Sequence, residues 1–140
     1  MDLSDFEGDW MLDRRVVNAV GPDAVFTGTA RFARNGAELV LTEAGEMVIE
    51  GQAPMQGQRV YHWRQGGAGI EVFFDDGRFF HLIAPGAQVE AHHDCPPDIY
   101  DVRYDFSGWD LNDGPRWRAV WQVKGPRKDY RMESHYTRQP

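Results

Sequence analysis

Three sets of side chains in this 140-residue sequence have the types and spacing to do chemistry. The first is the run His92-His93-Asp94-Cys95, followed by Asp98 and Tyr100. In a polar cluster Asp98 would orient the His93 imidazole and Tyr100 would donate a hydrogen bond, which is acid–base equipment for a lyase or isomerase acting on a small acid. The blander reading is a structural network that ties down the Pro96-Pro97 turn. Imidazole and thiolate also invite zinc, but His92 and His93 point to opposite faces of an extended strand and no Cys-x-x-Cys spacing is present, so no metal is expected. The second set is Arg14, whose guanidinium, turned inward, can clamp a carboxylate or phosphate through two parallel hydrogen bonds; its alternative is an internal ion pair with Glu43. The third is His81, either a histidine facing a lumen or a satisfied core histidine.

Positioning these groups falls to strands. Period-two alternation with frequent turn residues dominates, and no stretch keeps a helical period for ten residues. Ten strands are expected: 9–18, 24–33, 38–44, 59–64, 70–75, 78–82, 87–92, 98–106, 117–124 and 128–137. Turn chemistry separates them: Gly21-Pro22-Asp23, Asn35-Gly36, Gly66-Gly67, Ala84-Pro85-Gly86, Asn112-Asp113-Gly114-Pro115 and Gly125-Pro126. Asp76-Gly77 suits a two-residue type I′ loop, which would set Asp75 opposite Arg78, Phe74 opposite Phe79, Phe73 opposite Phe80 and Val72 opposite His81. Both faces of that hairpin are apolar, and its outer Phe73/Phe80 face would suit a protein partner. Segment 50–58, with Gly51, Pro54 and Gly57, reads as a flap over one barrel mouth. About ten short strands joined by tight turns favour a single antiparallel up-and-down β-barrel, because closure removes the edges of the sheet.

Alternation also assigns faces. Trp10, Leu12, Arg14 and Val16 share one side of the first strand, and Leu39, Leu41 and Glu43 share one side of the third. Tyr61 and Trp63 point inward, which sends His62 outward. Tyr100, Val102, Tyr104 and Phe106 form another inward row, as do Trp117, Ala119, Trp121 and Val123, and then Tyr130, Met132, Ser134, Tyr136 and Arg138. An interior mixing aromatics with Arg14, Glu43 and His81 is unlike an ordinary core, because an unpaired buried charge costs several kcal/mol. A ligand-accepting lumen tolerates it, with Tyr61, Trp63, Tyr104, Trp117, Trp121 and Tyr136 as its aromatic lining.

This pattern resembles the calycin superfamily of lipocalins, fatty-acid-binding proteins and nitrobindin-like haem barrels. There a Gly-x-Trp opens the first strand and a basic residue late in the last strand packs across that Trp; Gly8-Asp9-Trp10 and Arg138 match these two elements. The resemblance implies that Trp10 and Arg138 close one end of the barrel. The run His93-x-Cys95-x-x-Asp98-x-Tyr100, with Asp76-Gly77-Arg78 and Gly125-Pro126-Arg127-Lys128-Asp129-Tyr130, is similar to a bacterial and fungal family of calycin-like barrels with no assigned function. The likeness to the haem barrels makes haem or another tetrapyrrole a third reading. Met11-Leu12-Asp13 stands where the nitrobindin motif continues with glycines.

Composition narrows the partners. The formal net charge of −7 repels nucleic acid and anionic lipid, and Arg127-Lys128 is too small a basic spot to reverse that. The single Cys95 precludes an internal disulfide and favours a reducing compartment. Acids at residues 2, 5 and 7 replace the basic region of a signal peptide, no apolar run reaches the ~18 residues of a membrane span, and residues 137–140 carry no lipidation motif. The sequence thus predicts one cytoplasmic domain over 1–140 that binds a small organic acid or other amphipathic metabolite without a cofactor, and leaves a homodimer open.

Overall fold

Alternating burial becomes ten antiparallel strands: β1 (Gly8–Asn18), β2 (Ala24–Asn35), β3 (Glu38–Ile49), β4 (Met55–Gln65), β5 (Ile70–Phe74), β6 (Phe79–Ile83), β7 (Gln88–Cys95), β8 (Asp98–Asp105), β9 (Arg116–Gly125) and β10 (Lys128–Arg138). The structure is a computed structural model describing residues 2–112 and 114–139. Asp113, in the expected turn at 112–115, and the terminal residues Met1 and Pro140 lie outside the described residues. One sheet runs in the order β6-β5-β4-β3-β2-β1-β10-β9-β8-β7. First and last strands pair from Trp10↔Arg138 to Asn18↔Tyr130, so the sheet curls into a nearly closed barrel whose one unladdered seam lies between β6 and β7.

Along β9, Trp117, Ala119, Trp121 and Val123 are buried while Arg116, Arg118 and Lys124 are exposed, the alternation that a wall with one dry face requires. A short 3-10 helix, Leu3–Phe6, plugs the end where β1 begins. Phe6 is fully buried there, its ring 4.9–6.5 Å from those of Trp10, Phe32, Trp63, Phe106, Trp109 and Trp117. That half of the interior is therefore packed core. Backbones approach closely where Gly28 faces Gly45 across β2 and β3; a Cβ on Gly28 would collide with the Ala44 carbonyl and the Gly45 Cα.

Two local expectations are corrected. Val72 does face His81, but Phe73 pairs with Phe79 and not Phe80, because Phe80 is an extra residue in β6. The Gly77 N–H bonds to the Phe74 carbonyl and the Phe74 N–H to the Arg78 carbonyl, and within residues 74–78 only Gly77 has positive φ, +90°. A type I turn closed by a glycine bulge spares Asp76 the left-handed region that the type I′ loop demanded. The bulge turns consecutive Phe80 and His81 both inward, so the outer aromatic pair is Phe73 with Phe79. Segment 50–58 is no separate flap either: β3 and β4 continue as a ladder to Met47↔Met55, leaving a short connection over 50–54.

Candidate functional site

At the open end, β1, β2, β3, β4 and β10 enclose a cavity of about 140 Å³, lined by Arg14, Val16, Phe26, Glu43, Met47, Gly57, Gln58, Arg59 and Met132. Register explains its polar wall. Arg14 stands opposite both Ser134 and Phe26, and Glu43 opposite Arg59, so that strand pairing aligns residues far apart in sequence on one inner face.

The Arg14 Nη2 donates to Glu43 Oε1 at 2.8 Å and to the Tyr136 hydroxyl at 3.3 Å, while Nε donates to Ser134 Oγ at 2.7 Å. Tyr136 in turn donates to Glu43 Oε2. Arg14 and Glu43 side chains are only 5% and 3% exposed, so the pair is shielded from water and screened little by salt. Burial opposes the Arg14 charge, but the Glu43 carboxylate and the neighbouring phenols outweigh it and hold the guanidinium protonated. Burial raises the Tyr136 phenol well above its ordinary range, with Glu43 adding to the effect; Tyr136 is thus a fixed neutral donor.

The remaining sequence candidates divide by location. Trp63 and Trp117 belong to the closed-end aromatic core, Trp117 stacking on Tyr136. Tyr61 and Trp121 pack edge to face nearer the middle, and burial raises the Tyr61 phenol. His81 Nε2 lies 2.8 Å from the Tyr104 hydroxyl, and among the described residues its buried Nδ1 has no hydrogen-bond partner. Burial, aided by His93, depresses the His81 pKa to about 3, so the ring is neutral. Arg138 lies over the Trp10 ring at 4.1 Å and its two Nη atoms donate to the Glu7 and Asp5 carbonyls.

The acid–base cluster does not assemble. His93, Asp98 and Tyr100 lie at the open end, but Asp98 pairs with Lys128 Nζ at 3.0 Å, and Lys128 also donates to the Tyr100 hydroxyl at 3.4 Å. His93 instead meets the rings of Phe74, Phe80 and Tyr100. The reason is register: His93 stands opposite Tyr100, whereas Asp98 stands opposite Cys95, two residues away, and β10 brings Lys128 to it. His92 is outside, between Asp94 and Asp101. Among the described residues no three His, Cys, Asp or Glu side chains gather as a metal site. Sequence reasoning passed over Arg59, Phe26 and Met47, and placed Met132 on an inward face without giving it a role in the site. Arg59 was detectable, since it shares the period-two phase of Tyr61 and Trp63.

A sequence model of the family of unknown function DUF6314 matches residues 6–138. No curated protein matches the chain. Among solved structures, the S-type phycobiliprotein lyase CPES from Guillardia theta is similar in fold: TM-score 0.65 at 10% identity, covering 100% of this chain and 94% of that one.

Proposed function

The chain belongs to DUF6314, a family of unknown function, and on that footing we propose that it is a small-molecule-binding β-barrel whose ligand enters the open end and orients against the Arg14–Glu43 pair. The observation that carries this reading is the placement of a shielded ion pair in the wall of an enclosed cavity. An apolar replacement of such a pair is often as stable or more so, so its presence at a ligand-sized space points to orientation of a guest. The cavity admits about one benzene-sized group, since an engineered cavity of ~150 Å³ takes benzene. Phe26, Met47 and Met132 offer that group apolar contacts, and the flexible thioethers adapt to its shape. The guest is accordingly a compact amphipathic molecule, or the compact end of a longer one.

Native mass spectrometry of freshly purified protein, with calorimetric titration of benzoate, benzyl alcohol and benzylamine, tests this. Gly57→Leu is the control: its side chain would fill the cavity, and Gly57 has only the Phe26 ring at 3.4 Å in its way. At least one probe should bind the wild type and none the variant. Binding that survives Gly57→Leu, or no binding at all, sinks the reading.

The tetrapyrrole reading draws support from the barrel likeness to the S-type phycobiliprotein lyase. It requires a larger space than the enclosed cavity, such as the open groove of about 490 Å³ beside Ile83, Phe106 and Trp109 at the other end. Haem titration tests it: no Soret shift disposes of it.

A further inference from the structure

We infer that the ligand of this cavity is a monoanion, a compact monocarboxylate, and that Arg59 is the residue that selects it. The inference rests on the reading above that the cavity is a ligand site. Its ground is charge arithmetic within the lining. Two guanidinium groups, Arg14 and Arg59, border the space, but only one carboxylate, Glu43. Both Glu43 oxygens are already engaged, Oε1 by Arg14 and Oε2 by Tyr136. Arg59 is the cross-strand neighbour of Glu43, yet among the described residues no ion pair joins Arg59 to a carboxylate. The groups acting on it are the Tyr61 and Tyr130 phenols and the like charge of Arg14.

The cavity therefore carries one uncompensated positive charge at its rim above a wall already neutralised. A single carboxylate on the guest balances that charge. A neutral guest leaves Arg59 unpaired, and a dianion brings a second charge against Glu43. Arg14 is held on three sides by Ser134, Tyr136 and Glu43, so it positions the wall, whereas Arg59, at the rim, hydrogen-bonds the neutral Tyr61 phenol and keeps the rest of its planar fork for an incoming carboxylate. Phe26, Met47 and Met132 then receive the apolar body of the same molecule. Arg59 is the specificity-determining residue in this scheme, and the buried pair is the fixed surface against which it works.

Calorimetric titration of wild type, Arg59→Gln and Arg59→Lys with benzoate, benzamide, benzyl alcohol and phthalate tests the assignment. Benzoate should bind the wild type at least about tenfold more tightly than benzamide or phthalate, the expected scale for a charge-assisted hydrogen bond. Arg59→Gln should erase the preference for benzoate over benzamide, and Arg59→Lys should restore part of it. A benzoate preference that persists in Arg59→Gln overturns the role of Arg59. Phthalate binding as tightly as benzoate, or a neutral probe doing so, overturns the monoanion. Failure of every probe on the wild type instead removes the underlying ligand site, a result distinct from both.

Discussion

Trp117 lies flat on Tyr136, ring centroids 3.8 Å apart and planes within 4°, and the hydroxyl beneath that stack donates to Glu43. Closed-end core and polar cavity wall therefore meet in one side chain. Stacking fixes the tyrosine ring, and the fixed ring fixes where the hydroxyl points. Tyr136→Phe keeps the stack but deprives a buried carboxylate of one donor. A loss of about 1–3 kcal/mol in urea unfolding is expected, the cost of an unsatisfied buried acceptor. A change within 0.5 kcal/mol would show that the hydroxyl contributes nothing there.

Removing one member of the buried pair should cost more. Arg14→Met or Glu43→Leu alone each leaves a charge without its partner, for an expected loss of about 3–5 kcal/mol. The double variant should recover most of that loss, because both desolvation costs vanish together. Denaturant midpoints of the three variants form a double-mutant cycle. Additive single effects would contradict the pairing.

His81 and His62 should give stability opposite dependences on pH. His81 is held near 3 when folded against about 6.5 unfolded, so the unfolded chain binds more protons between those values. Stability from this group is complete above about pH 6.5 and falls as the pH is lowered, by at most about 1.4 kcal/mol per unit. His62 lies outside, 3.0 Å from Asp75 and 2.9 Å from Glu38, and both raise its pKa. Its contribution is complete below about pH 6.5 and is lost as the pH rises through the folded value. Imidazole NMR shifts should leave His81 neutral at pH 5 while His62 is protonated. His62→Gln should lessen the loss on the alkaline side, leaving the share of His92, which Asp101 and Asp94 shift the same way; an unchanged profile would count against the contact.

Arg138→Ala should loosen the closed end. The variant loses a cation over an indole, worth about 0.5–2 kcal/mol, together with two charge-assisted bonds to the Glu7 and Asp5 carbonyls. Arg138→Lys should retain part of the first and little of the second, because an ammonium lacks the fork. Thermal midpoints ranked wild type, lysine, alanine are expected, with hydrogen exchange at residues 3–7 accelerating in the same order.

Gly28→Ala should be among the most damaging single-methyl additions in the molecule. Its new carbon would meet backbone atoms of Ala44 and Gly45, which cannot swing aside as a side chain can. Gly57→Ala faces only the Phe26 ring and should be tolerated. Equal soluble yields and midpoints for the two would refute the close approach of β2 and β3.

Local pattern determined a great deal. The inward rows of β1, β3, β8, β9 and β10 were readable residue by residue, because a strand's side chains alternate whatever the strand later packs against. Turn residues marked where each strand stops, and their spacing limited the chain to a many-stranded closed sheet. Alternation put Trp10 and Arg138 on inward faces, and only the family resemblance marked them as a closing pair. What the sequence left open was which inward residue meets which. Arg14, Glu43 and Tyr136 converge through three strand pairings, β10 with β1, β1 with β2 and β2 with β3, and the curvature of the barrel; alternation supplies a face but not a depth or a neighbour. The same gap separated Asp98 from His93 and gave it to Lys128. One extra residue at Phe80 turned an expected outer face inward, because a bulge is a compromise between turn and ladder that only the assembled sheet can choose. Fold class follows from period and turns, which are local; the site follows from register and stagger, which exist only once the first strand has found the last.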